Sequence, residues 1–99
     1  MNLFESALFR LAMRGSITLG QAKVVNAIYK NRACSLHGLR METGLEKDEL
    51  SYSVAALKER GILVEIHGFY LCPNIEEKIL ELIDSGTRAE EKEVLVARA

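Results

Sequence analysis

The residues with the most distinctive chemistry are two cysteines and two histidines, arranged as Cys34-Ser35-Leu36-His37 and, further along, His67 and Cys72. Two thiolates with two imidazoles make a common tetrahedral zinc set, and two thiols alone can close a disulfide. The sequence has no phosphate-cradling glycine loop, no carboxylate pair at catalytic spacing and no nucleophile motif. It is therefore not expected to be an enzyme. Whether the thiols and imidazoles meet depends on the elements that carry them.

Leu3, Phe4, Ala7, Leu8, Leu11 and Ala12 recur at helical spacing and predict an N-terminal helix over residues 2–13, closed by Arg14-Gly15. Ser16 or Thr18 can cap a second helix, which turns Leu19, Ala22, Val25, Ile28 and Tyr29 inward and frays near Asn31. Arg32-Ala33-Cys34 suits a minimal strand. Ser35 then caps a short helix from Leu36 to Thr43, with Leu36 and Leu39 inward and Gly44 closing it. A fourth helix runs from about Glu46 to Arg60, with Leu50, Val54 and Leu57 as its inward knobs and Gly61 after its basic last turn.

The β-prone runs Ile62–Ile66 and Phe69–Cys72 flank His67-Gly68, a two-residue hairpin signal. Pro73 stops the second run. Asn74 can cap a last helix over residues 75–84, striped by Ile75, Ile79, Leu82 and Ile83. Residues 87–99 read as a charged tail, frayed or disordered.

The chain has 99 residues, 48% hydrophobic and 27% charged, which suits one domain over residues 1–86 with a single core. No apolar run approaches the roughly 20 residues of a membrane span. The opening residues lack a secretory pattern, so a cytoplasmic location is expected. The net charge of −1 hides an asymmetry, +5 over residues 1–40 against −6 over residues 41–99.

A helix pair followed by a hairpin describes a winged helix-turn-helix: mainly α with a small β-hairpin, extended by extra N- and C-terminal helices. In that arrangement the strand before the motif pairs with the second wing strand, so Cys34 approaches Cys72. His67 then sits at the hairpin tip, roughly 15 Å further along. A four-ligand metal site is not expected, and neither is a cofactor. A Cys34–Cys72 disulfide stays open beside the ordinary cytosolic state of two free thiols.

Residues Ile17 to Val25 resemble the opening of the MarR-type winged-helix regulators, with Thr18-Leu19, then Gln21 and Val24-Val25. Leu39, Thr43-Gly44-Leu45, Leu50, Val54, Leu57 and Glu59-Arg60-Gly61-Ile62-Leu63 are similar to the family's helix-turn-helix pattern, the resemblance covering roughly residues 17–72. It implies a homodimer that binds specific double-stranded DNA, with residues 46–60 entering the major groove, residues 62–72 forming the wing and the terminal helices building the dimer.

On that resemblance the DNA contacts fall to Ser35, His37 and Arg40, to Lys47, Ser51, Tyr52 and Lys58 on the recognition helix, and to Lys30 and Arg32 as backbone clamps. Three features depart from the family. Its usual Ser, Thr and Arg base-contacting positions fall here on Asp48, Glu49, Ser51 and Tyr52. The wing has no Lys or Arg. Arg40 stands where a small alanine is usual, and must snorkel out or shift the helix.

The stripes of Leu3, Phe4, Leu8 and Leu11 and of Ile75, Ile79, Leu82 and Ile83 exceed what a ~60-residue core covers, so they are expected at the dimer interface. The alternative is that both helices fold back onto their own core. A second functional reading is a winged helix that recognises another protein and no DNA, since an acidic recognition helix suits a basic protein surface.

Overall fold

The computed structural model describes residues 2–83. The tail over residues 87–99 and the expected end of the last helix lie outside the described residues. Four helices are α1 (Leu3–Met13), α2 (Leu19–Asn31), α3 (Leu36–Thr43) and α4 (Lys47–Glu59). Three short strands are β1 (Ala33–Ser35), β2 (Val64–Ile66) and β3 (Phe69–Leu71). Residues 75–83 form a further helix, α5.

Local chemistry sets the boundaries. Of the two candidate caps for α2, Thr18 is the one used: its hydroxyl accepts from the Gln21 N–H while the Gln21 side chain accepts from the Thr18 N–H, a reciprocal capping box. Ser35 caps α3 by accepting from the Gly38 N–H, and Gly44 ends that helix in the left-handed region. His67 and Gly68 both have positive φ, 52° and 81°, as a two-residue hairpin whose twist matches its strands requires. The wing strands are shorter than expected, because Ile62 and Leu63 drop into the core before β2 begins.

The sheet order is β1-β3-β2, antiparallel throughout, with Cys34 opposite Tyr70 and Glu65 opposite Tyr70 on its other side. The strand before α3 thus pairs with the second wing strand, as the sequence implies.

Leu8, Leu11, Val24, Val25, Ile28, Leu39, Leu50, Leu57 and Leu63 form the fully buried centre. This corrects the expected dimer surface. Leu8, Leu11, Ile75 and Ile79 are buried in the chain's own core, and Phe4, Leu82 and Ile83 pack against it. Of the eight residues expected there, only Leu3, 91% exposed, is open. The reason is geometric: α1 and α5 fold back, with Ile83 beside Leu3, Ala7 and Leu11.

Three further residues expected inward are at the surface. Leu19 and Leu36 are each the first residue of a helix and are exposed, with α4 closing on Gly20 instead of Leu19. Tyr29 stays partly open and stacks on Phe4, ring centroids 3.8 Å apart and planes at 17°.

Candidate nucleic-acid interface

Helix α4 is fixed on one side by Leu50, Val54 and Leu57, at most 6% exposed, and its opposite side is free. Lys47, Ser51 and Tyr52 lie on that free side, and Tyr52 is 78% exposed. Asp48 and Glu49 occupy the first turn, where carboxylates face the positive end of the helix dipole. Their position therefore has a helix-stabilising reason apart from any partner.

Beside α4, His37 and Arg40 are exposed on α3. Arg40 is exposed, the outward placement that is one of the two expected of it. Ser35 is half-buried, and its hydroxyl is committed to the cap of α3. Lys47, Ser51 and Tyr52 on α4, with His37 and Arg40 on α3, are the expected DNA contacts carried together on the two helices of the motif.

The remaining three lie apart from that group. Lys58 stands in the last turn of α4, about 16 Å along the helix from Lys47. Its ammonium donates to Glu65 Oε2 at 2.7 Å and lies 5.3 Å from the Tyr70 ring centroid. That contact raises the Lys58 pKa and lowers that of Glu65, while burial first and then Glu65 raise that of Tyr70. Lys30 and Arg32, at the far end of α2, line an open depression of about 580 Å³ with Tyr29, Cys72 and Ile75. Arg32 caps α2 at φ 68°, a backbone region that L-residues rarely adopt.

Cys34 and Cys72 are free thiols. Cys34 Sγ donates to the Ala27 carbonyl at 3.7 Å. Burial, with Glu42 nearby, raises its pKa. The Cys72 pKa is pushed up to about 12, mainly by burial. Cys72 lies beyond the end of β3, two residues past the partner of Cys34, so the ladder does not set the two face to face. Among the described residues no three His, Cys, Asp or Glu side chains are grouped to hold a metal ion.

One feature of this surface was not legible in the sequence. The N-terminal turn of α2 comes so close to α4 that a Cβ on Gly20 would lie 2.7 Å from Ser53 Oγ and 3.3 Å from Glu49 Oε1. A groove of about 600 Å³ runs between the two helices there. The only sequence signal was a glycine inside a helix, which marks close packing without naming its partner.

No family model matches the sequence, and no curated protein sequence matches it. Solved structures do match. BpsR of Bordetella bronchiseptica, whose DNA binding is regulated by 6-hydroxynicotinic acid, is 20% identical with a TM-score of 0.63, covering 86% of this chain and 74% of that one. NadR in its ligand-free form is 17% identical with a TM-score of 0.61, covering 96% of this chain and 80% of that one. At these identities the likeness is one of architecture. The fold of this chain is a winged helix-turn-helix with the architecture of these two proteins.

Proposed function

We propose that this chain is a cytoplasmic, sequence-specific DNA-binding transcriptional regulator, acting as a homodimer with α4 as the helix that meets the bases. The observation carrying this reading is that α4 is held by Leu50, Val54 and Leu57 while Ser51 and Tyr52 stay open to a partner. The architecture shared with BpsR, a protein with regulated DNA binding, supports it. Lys47 and Arg40 supply phosphate contacts, Ser51 offers a hydroxyl to a base edge, and the exposed Tyr52 ring meets sugar or a thymine methyl. His37 lies on the same side as Arg40.

Dimerisation is proposed through the outer sides of α1 and α5. Leu3 is open there, as is Leu80 at 61%. A two-fold dimer presents two copies of α4 to half-sites about one helical turn apart.

Binding to random DNA pools at two salt concentrations tests the reading. Affinity is expected to fall with salt, and Lys47→Ala to reduce the logarithmic slope by about 1. A flat response would leave the second reading, a winged helix that recognises protein alone. Sedimentation at micromolar concentration tests the dimer, and a monomer there overturns it.

A further inference from the structure

We propose that the groove between the start of α2 and α4 is a docking site for a cationic, Lys- or Arg-bearing segment of a partner protein, a site distinct from the DNA contacts except at Tyr52.

Three carboxylates line it: Glu46, Asp48 and Glu49. Glu46 stands at the N-cap of α4 without capping it through its side chain. None of the three has a hydrogen-bonded or ion-paired side-chain partner among the described residues. The neighbouring Gln21 accepts through its carboxamide oxygen in the capping box and, being uncharged, does not neutralise them.

A second observation is independent of charge. Ser53 lines the same groove and is only 5% exposed, yet its hydroxyl has no hydrogen-bond partner among the described residues. The hydroxyl is not sealed from solvent, since Asn26 Oδ1 is the buried side-chain atom left without a partner among the described residues. A ligand donor in the groove can therefore replace water on it. Gly20 keeps that hydroxyl reachable, since a side chain on Gly20 would press on it.

The chemistry of the occupant follows. Double-stranded DNA is repelled by three carboxylates. The carboxylates are not grouped to hold a single metal ion. Carried on successive positions of α4 from Glu46 to Glu49, they match a ligand with more than one positive group. Guanidinium or ammonium groups meet the carboxylates, donate to Ser53 and lie against the exposed Tyr52 ring. Opposite charge on the two sides is the complementarity that steers such encounters.

The test is a fluorescence-anisotropy titration of the full chain with a labelled Arg/Ala peptide, and with a Glu/Ala peptide of equal length. The Arg/Ala peptide is expected to bind and the Glu/Ala peptide not to. The double variant Glu46→Gln, Glu49→Gln should weaken the Arg/Ala peptide by about tenfold or more, and Ser53→Ala by a smaller factor. Circular dichroism of each variant separates loss of the site from loss of the fold. Equal binding to the double variant, or none to the wild type, overturns the proposal.

A DNA arm separates the two readings. Peptide binding without DNA binding keeps this site and removes the DNA function; the converse does the reverse. Where both bind, the peptide is expected to displace DNA through the shared Tyr52. Simultaneous binding would put the peptide elsewhere and overturn the assignment.

Discussion

Lys58 Nζ lies 2.7 Å from Glu65 Oε2, so the last turn of α4 is clasped to the first strand of the wing. The hydrogen bond from Lys58, then that from Tyr70, holds the Glu65 carboxyl below its ordinary range, and the same bond to Glu65 raises Lys58. A depressed carboxylate contributes stability that is present above its unfolded pKa and is lost as pH falls through the lower folded value. The Lys58 side runs the other way: it is present below the ordinary lysine value and lost as pH rises through the raised one. The clasp therefore spans neutral pH and opens at the extremes. A carbon-detected NMR titration of Glu65 should give a midpoint below the usual glutamate range that Lys58→Met moves upward. A midpoint indifferent to that change would mean the two groups are uncoupled. Because both are exposed, Glu65→Gln should barely change the unfolding midpoint.

Gly20 of α2 packs directly against Ser53 of α4. Alanine is the better helix former, by about 1 kcal/mol, but here its methyl meets Ser53 Oγ at 2.7 Å. Gly20→Ala is expected to destabilise by about 1 kcal/mol net, in the range of overpacking. In a Ser53→Ala background the same change should become neutral or stabilising. Urea denaturation of the four proteins in this cycle measures the coupling, and simple additivity would refute the contact.

Cys72 should be a slow nucleophile. With its pKa near 12, its thiolate fraction at pH 8 is on the order of 10⁻⁴. Labelling by iodoacetamide in the native state is expected to be at least about 100-fold slower than for an exposed cysteine. Unfolding without reductant should then release two alkylatable thiols, read by intact mass. A protein that takes up no label under those conditions has a bridge.

Leu57 and Tyr52, on opposite sides of α4, should separate stability from binding. Leu57 is fully buried, and Leu57→Ala is expected to cost about 2–5 kcal/mol through lost burial and a residual cavity. Tyr52→Ala should change stability by less than about 0.5 kcal/mol while weakening DNA binding. Equal destabilisation by the two would contradict the two-sided character of the helix.

Much of the fold was legible because its signals are local. Thr18 with Gln21, Ser35 before Leu36, Gly44, and His67-Gly68 each fix a cap or turn through their own backbone chemistry. The inward knobs of α4 follow from helical spacing alone. What failed depended on distance across the fold. A stripe such as Leu8 and Leu11 looks the same whether it meets a second copy or its own core. Only the return of α1 and α5 onto the same molecule decides between them. The candidate interface was partly legible in the same sense. Ser51 and Tyr52 follow from the periodicity of α4, whereas the diversion of Lys58 to Glu65 and the Gly20–Ser53 groove need the tertiary arrangement.

The burial of Leu8, Leu11, Ile75 and Ile79 within one copy has a consequence for assembly. A protomer that encloses its own oil needs no companion to become structured, so folding and pairing are separate equilibria. Dilution should part the proposed dimer into intact halves instead of melting it, leaving the helical spectrum unchanged. Occupancy on DNA would then follow protein concentration as a second-order process, sharpening the response to how much of the chain is made.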